Sequence, residues 1–297
     1  MRIVTRPDFD GIVCAVLLFE AEKITRETLW VEPNEIQKKL ITIETGDILA
    51  NLPYDKNCSM WFDHHYTNIV PEKIPGAFAI APSAAGVVYD YYKEKIGGRY
   101  DELVSEADKI DSAALSQDEV LHPEDYPYVL LSMTISGRDS ADEWYWNRLT
   151  DLLRSSDIES VMCDSEVYDR SQGVINRNKR FHDHLLKHTT IKQQVAVTDF
   201  REFDKAPNGN RFLSYSLFPE SIVSVKIRYD IDNRDKIILS VGHSIFNKNC
   251  KVNAGLLLSK YGGGGHFGAA GCSFPKNKAD EYIPEIIETL SNNKPLD

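Results

Sequence analysis

Short apolar runs alternate with longer helix-like segments through the first 110 residues of this chain. The run "MRIVT" has the length and composition of a buried strand, and residues 11–23 are apolar over enough positions to form a buried helix. Further strand candidates occupy residues 28–33 and 58–62, and further helix candidates occupy residues 83–95 and 100–110. This alternation predicts an α/β fold with a parallel sheet.

The pattern of the sequence changes from helical to β-favouring near residue 190. Residues 115–190 are mainly helical in pattern and charged, whereas β-favouring runs follow from residue 193, separated by turn sequences such as "PNGN" and "DNRD". A glycine-rich stretch and a final helix candidate complete the chain. We therefore predict two domains, residues 1–190 with the parallel sheet and residues 191–297 as a smaller α/β domain, with a cleft between them.

The charge of the chain limits what it can bind. Lys and Arg total 34 and Asp and Glu total 45, so the formal net charge is -11 and a long nucleic-acid duplex would be repelled. An acidic chain can still bind a small anion where its carboxylates hold divalent cations. No apolar run approaches the roughly 20 residues that span a bilayer, so no membrane partner is expected. We expect a cytoplasmic protein with a small substrate, and a homodimer is compatible with the sequence.

Two aspartates follow the first strand candidate, in "PDFDG". Doubly wound sheets place their ligand sites at the carboxyl ends of strands, so Asp8 and Asp10 can project into such a site. Gly11 would let the chain turn sharply into the next helix. The same sequence also suits a solvated turn, and Asp47, near another strand end, is uninformative by itself.

Three polar residues, Asp63, His64 and His65, come directly after an apolar strand candidate. Polar side chains at the end of a buried strand are costly unless their polarity is used. A mixed set of carboxylates and imidazoles favours a first-row divalent metal, and Mn²⁺ suits it. The alternative is a hydrogen-bonded pair at a domain interface.

The stretch "YGGGGHFGAAG", residues 261–271, lacks the Lys-Ser/Thr ending of a nucleotide triphosphatase phosphate loop. Four consecutive glycines can expose backbone N–H groups as an anion nest, to which His266 can add a donor. A flexible hinge is the alternative interpretation.

These motifs, together with "ADKIDSA" at residues 107–113, occur in the order and spacing of the DHH phosphoesterase superfamily. The chain resembles the RecJ-like branch, which includes nanoRNase/pAp phosphatases and exopolyphosphatase-related proteins. The resemblance covers nearly the whole chain, as an N-terminal DHH domain and a C-terminal DHH-associated domain. It implies a phosphoesterase with two Mn²⁺ ions, or with Mg²⁺ or Co²⁺ instead, acting on short oligonucleotides or nucleotides such as pAp.

The resemblance also implies a set of metal ligands. Asp8 would bind one ion, and Asp10 and His64 would bind the other. Asp47 would bridge the two ions. The remaining ligand would be Asp111, with Asp108 as the alternative. The predicted ligands are Asp8, Asp10, Asp47, His64 and Asp111.

Catalytic and substrate-binding residues follow from the same resemblance. His65 would lie near the scissile phosphate, and Asp63 would orient the neighbouring histidines. The C-terminal domain would hold the far end of the substrate across the cleft. The predicted substrate contacts are Gly263, Gly264, Gly265 and His266.

The chain departs from the family pattern at the first ion. Many relatives carry a metal-binding His four residues before the first aspartate of the DxD motif, where this chain has Val4, and others carry it two residues before, where this chain has Arg6. The first ion is therefore weakly bound, completed by substrate or water, or absent. In the last case Arg6 would bring positive charge to the phosphate.

Two other functions remain open on the sequence alone. Hydrolysis of phosphoanhydrides in polyphosphate or pyrophosphate needs the same metals but no pocket for a base. A non-catalytic nucleotide-binding module would explain the degenerate first metal site at Val4.

Overall fold

The computed structural model of the protein describes residues 1–68, 74–137 and 140–296. The chain divides into two compact units. The first consists of Met1–Leu115 and Pro123–Gln172, and the second of Ser116–His122 and the chain from Gly173 onward. Residue 190, at the predicted domain boundary, lies in the second unit.

The first unit contains a five-stranded sheet in which every neighbouring pair of strands is parallel. The strand order is β2-β1-β3-β4-β5, and the predicted α/β fold with a parallel N-terminal sheet is confirmed. The strands are β1 (Arg2–Thr5), β2 (Leu29–Trp30), β3 (Asp47–Ala50), β4 (Met60–Asp63) and β5 (Gly76–Phe78).

Helices of the first unit cover the sheet. The central one is buried almost all round, since its residues from Phe9 to Leu18 are at most 5% exposed. It begins where the side chain of Asp8 accepts a hydrogen bond from the Gly11 N–H, and it packs against the third, fourth and seventh helices. The helices are α1 (Phe9–Ala21), α2 (Pro33–Gln37), α3 (Ala84–Ile96), α4 (Asp101–Asp111), α5 (Gln117–Leu121, in the second unit), α6 (Pro127–Thr134), α7 (Glu143–Ser155), α8 (Ile158–Met162) and α9 (Ser165–His188, which continues into the second unit).

The second unit contains a six-stranded mixed sheet in the order β10-β11-β9-β8-β7-β6. Among the described strands of this second sheet, β7 and β8 are the one parallel pair, and the other neighbours are antiparallel. Apolar residues of alternate strand positions pack with the last helix into a separate core. The strands are β6 (Thr189–Lys192), β7 (Val195–Asp199), β8 (Val223–Tyr229), β9 (Lys236–His243), β10 (Gly264–Gly265) and β11 (Ala269–Pro275).

One run that the sequence suggests as a strand is a helix. The segment "RFLSYSLF" contains α10 (Leu213–Leu217). Because β7 and β8 are parallel, the chain between them must cross over, and a helix is the usual connection. The remaining helices are α11 (Ala254–Ser259) and α12 (Ala279–Asn292), and short 3₁₀ segments lie at Tyr66–Asn68, Gly97–Tyr100, Pro123–Asp125, Ser140–Asp142 and Lys276–Lys278.

Within the part of the chain that the structure describes, every helix is too short or too polar to cross a bilayer.

Candidate metal centre

The polar motifs of the first unit meet at one edge of its sheet. The strands β1, β3 and β4 are neighbours and run parallel, so their carboxyl ends lie side by side. The segment "PDFDG" follows β1, Asn51 follows β3, and the two histidines follow β4. Sheets of this kind place ligand sites at this edge.

Asp10, His64 and Asp111 form the centre of this site. The Nε2 atom of His64 lies 3.9 Å from an Asp10 oxygen and 3.4 Å from an Asp111 oxygen. The Nδ1 atom of His64 lies 3.0 Å from the carbonyl oxygen of Ala81, which can only accept, so Nδ1 carries a proton and the neutral form of the ring presents a lone pair at Nε2. Two carboxylates and a lone pair therefore face one another.

This arrangement fits a divalent cation. Ligand atoms about 2.1 Å from one ion lie about 3.0 to 4.2 Å apart, depending on their angle at the ion, and the two separations at His64 fall within that range. His64 Nε2 and Asn51 Oδ1 are buried and without a hydrogen-bond partner among the described residues. Burial, reinforced by the charges of Asp111 and Asp8, raises the pKa of Asp10 well above its ordinary value. A cation would compensate the charges of the buried Asp10 and the exposed Asp111, and would bind His64 Nε2.

The N-terminus of α3 fixes the Asp10 carboxylate. The N–H groups of Ala85 and Ala84 donate to its two oxygens at 2.8 and 3.0 Å. Each oxygen keeps a second lone pair for a cation. Asp10 itself is 2% exposed, so the helix terminus is what makes this buried carboxylate tolerable.

The structure separates the two aspartates of "ADKIDSA". Asp108 accepts a hydrogen bond of 2.6 Å from the Ser83 hydroxyl, and the same hydroxyl accepts from the Gly86 N–H at the start of α3. Asp108 therefore supports the cap of that helix. Asp111, one turn further along α4, faces His64 and is the one brought to the cluster.

Asp63 supports its two neighbours. One of its oxygens accepts from His65 Nδ1 at 2.8 Å and from the His64 N–H at 2.9 Å, and the other accepts from Asn68 at 2.7 Å. The hydrogen bond to Asp63 raises the pKa of His65, whose side chain is 42% exposed. His65 is thus held by Nδ1 and presents Nε2 as its free nitrogen.

Asp8 is already surrounded by donors. Its Oδ1 accepts from the Gly11 N–H at 2.9 Å and from the Asn51 side-chain amide at 3.0 Å. Its Oδ2 lies 3.2 Å from the Arg6 guanidinium, which also reaches Glu32 at 3.3 Å. Burial raises the pKa of Asp8 to about 6 although the charge of Arg6 opposes this.

The structure does not bring Asp47 to this site. Asp47 begins β3, so it lies at the amino end of a strand whose carboxyl end carries the site. It is fully buried, and its oxygens accept from the Arg2 guanidinium at 2.9 and 2.5 Å. Asn51 is the side chain that follows β3 into the site, and the sequence carries no signal for this, because a single neutral amide is common in loops and is a weaker indication of a metal site than a carboxylate.

Several backbone N–H groups of the glycine-rich loop in the second unit already make hydrogen bonds to backbone carbonyls. The N–H groups of Gly262, Gly263 and His266 donate to the carbonyls of Ser259, Leu258 and Ala269, so they are not open to an anion. Gly263 has no room for a side chain, since a Cβ would lie 2.2 Å from the Gly271 oxygen. Of the four predicted substrate contacts, Gly264, Gly265 and His266 are exposed.

Neither the protein-family models nor the curated proteins give a match to this sequence, but solved structures do. A pGpG-specific phosphodiesterase of Vibrio cholerae is 30% identical, over 99% of both chains, with a TM-score of 0.88. The chain belongs to the DHH phosphoesterase family.

More distant structures share the fold of this DHH protein. An exopolyphosphatase-related protein of Bacteroides fragilis is 15% identical over 98% of this chain and 92% of its own, with a TM-score of 0.55. RecJ of Thermus thermophilus, crystallised with Mn²⁺, is 12% identical over 99% of this chain and 52% of its own, with a TM-score of 0.59. The sequence motifs thus led to the correct family.

Replacing Asp47 by Ala should lower stability and leave the metal centre in place. The Arg2 side chain, 14% exposed, would lose its partner, and breaking a buried ion pair costs about 3–5 kcal/mol. Urea unfolding should show that loss, while titration calorimetry of the folded variant should show unchanged Mn²⁺ affinity. As a control, Arg26→Ala removes a 45% exposed arginine from the same cluster and should cost less than about 1 kcal/mol. Normal stability with lost Mn²⁺ binding in the Asp47 variant would assign Asp47 to the metal centre after all.

Proposed function

We propose that this protein is a metal-dependent phosphodiesterase that hydrolyses short oligonucleotides, with a 5′-phosphorylated dinucleotide such as pGpG as the first substrate to test. The observation that carries the proposal is the buried lone pair of His64 facing the carboxylates of Asp10 and Asp111. The relative at 30% identity is specific for pGpG. The net charge of -11 also favours a short substrate over a long nucleic acid.

Asp10, His64 and Asp111 would hold the divalent ion in this scheme. Mn²⁺ suits two carboxylates and an imidazole, and Mg²⁺ is the nearest substitute. Bound there, the ion supplies activation of a water molecule and stabilisation of charge on the phosphoryl oxygens. The α3 N-terminus and the Ala81 carbonyl keep the Asp10 and His64 ligand atoms aimed at the same point.

His65 would act as the general acid. Its Nδ1–H is held by Asp63, so its Nε2 can carry a proton toward the leaving oxygen of the substrate. The partly exposed ring lies at the same strand end as the metal ligands. Asp63 uses both carboxylate oxygens to fix this part of the chain, and its part is to position His65.

The exposed residues Gly264, Gly265 and His266 remain the proposed substrate contacts in the second unit. His266 is charged or polar in either protonation state and can donate to a phosphate. Gly263, by contrast, serves the packing of the loop.

The first experiment is a substrate panel with the purified protein and Mn²⁺. We expect rapid cleavage of pGpG and pApA, slower release of phosphate from pAp, and little from polyphosphate. Chelation by EDTA should abolish turnover, and Mn²⁺ should restore it, because the carboxylates and His64 alone supply no activated water. Turnover of polyphosphate alone would favour the phosphoanhydride function instead. Nucleotide binding without turnover on the whole panel would favour a non-catalytic module.

His65→Asn should lower kcat on pGpG by about 10²–10⁴-fold, because general acid catalysis contributes about that much. A p-nitrophenyl ester of a nucleotide needs no protonation of its leaving group, so the variant should lose far less activity on it. Mn²⁺ affinity should stay unchanged in calorimetry. His122→Asn, which alters an exposed histidine of the second unit, is the matched control. Equal losses of His65→Asn on both substrates would argue against the general acid.

A further inference from the structure

We propose that this DHH site is built for a single divalent ion, and that the Arg6 guanidinium supplies the second positive charge where the family resemblance implies another metal. The inference rests on the proposed function for its chemistry, but the number of bound ions is tested without substrate. It is argued from the hydrogen bonds and charges of Asp8 and Asn51, which are the residues that a second ion would need as ligands.

A second ion lacks its histidine. Val4, four residues before Asp8, is fully buried in β1 and packs with Leu49 and Trp61 in an apolar cluster. An apolar side chain supplies no ligand atom there, and its replacement by a polar residue would disturb that cluster. Arg6, the other position where relatives carry a histidine, cannot ligate a cation because its guanidinium stays protonated.

A second ion also lacks an acidic bridge. The side chain that enters the site from the end of β3 is Asn51, which donates its amide N–H to Asp8 at 3.0 Å. Its buried Oδ1 can complete the shell of an ion as a neutral ligand. A neutral amide, however, brings no negative charge to offset the repulsion between two dications held close together.

Both oxygens of Asp8 already have partners within the chain. Arg6 Nη1 lies 3.2 Å from one Asp8 oxygen, and two N–H donors bind the other oxygen. Asp8 is thus bonded at both oxygens by groups of this chain, and Asp10, His64 and Asp111 are the groups that face a common point for one ion.

Arg6 is also suited to the role that a metal would have. Its side chain is 38% exposed, so a phosphate can reach it while Glu32 and Asp8 hold its direction. A guanidinium presents several N–H donors in a plane that matches two phosphate oxygens. Arg6 is therefore the residue placed to bind the phosphoryl oxygens beside the single ion.

The decisive measurement is the number of Mn²⁺ ions per chain in the absence of substrate. Titration calorimetry and metal analysis of the wild type should give one, and its electron paramagnetic resonance spectrum should be that of magnetically isolated Mn²⁺. The double variant Arg6→His with Asn51→Asp restores a histidine and an acidic bridge, and should bind two ions with a spin-coupled spectrum. Arg26→His with Asn57→Asp makes the same chemical changes at exposed positions away from the site and should still bind one.

Two coupled ions in the wild type would overturn the inference, whether or not the double variant folds. If the folded double variant still binds one ion, then Arg6 and Asn51 are not the residues that prevent a second ion from binding. Because these measurements use no substrate, they are independent of the substrate panel: one ion without turnover contradicts the proposed function, and turnover with two coupled ions contradicts only this inference.

The role of Arg6 at the phosphate has its own test. Arg6→Ala should keep one Mn²⁺ per chain and lower kcat on pGpG by at least about 10²-fold, the usual effect of removing a donor to a developing oxyanion. Added guanidinium ion should restore part of that loss, which a merely structural role would not allow. Arg26→Ala should show neither the loss nor the rescue. Unchanged kcat in Arg6→Ala, or a loss that guanidinium does not relieve, would remove Arg6 from the phosphate site.

Discussion

The buried carboxylate of Asp10 is the constraint around which the first unit is arranged. A charge that is 2% exposed costs several kcal/mol unless its surroundings compensate it. Asp10 lies in the first turn of α1, and the first N–H groups of α3 supply that compensation. The contact between these two helices therefore fixes the carboxylate as well as the core. One oxygen of Asp10 also lies 3.9 Å from His64 Nε2, so the same carboxylate takes part in the candidate metal centre.

Two pairs of arginine and aspartate near the two ends of β1 have different consequences. Arg2 and Asp47 are register partners on adjacent strands, so their buried ion pair ties the amino ends of β1 and β3 together. Arg6 and Asp8 follow the strand, are both partly exposed, and change the charge of the site. The first pair contributes to stability and strand register, and in the proposed site the second limits the number of divalent ions.

Features that follow from local sequence patterns, such as the parallel sheet, could be predicted. The positions of Asp47 and Asn51 could not, because they depend on strand register. Alternating strand and helix patterns predicted the parallel sheet, and parallel strands bring "PDFDG" and "FDHH" to one edge whatever the details of packing. The place of Asp47 depends on where β3 begins and on a partner 45 residues earlier, which no local pattern shows. Asn51, four residues later, marks the other end of the same short strand.

Asp108 and Asp111 show the same limit. Both lie on α4 in an unremarkable charged run, and spacing alone does not say which one faces inward. Asp108 is turned toward Ser83, which caps α3, while Asp111 reaches His64. Secondary structure could be predicted from the run, whereas the choice between the two carboxylates depends on how α4 is rotated against α3.

A fixed guanidinium in place of an exchangeable ion changes how the site meets its substrate. The fold determines where ligands lie, but the local charges limit how many divalent ions bind close together, since like charges repel. In the proposed site the positive charge of Arg6 is permanent and does not depend on the metal concentration. Its planar donors also favour a phosphate presented with two oxygens toward it, which is a geometric demand that a spherical ion does not make. A single ion with a guanidinium therefore restricts the orientation of the phosphate, whereas a second ion would add more positive charge beside it.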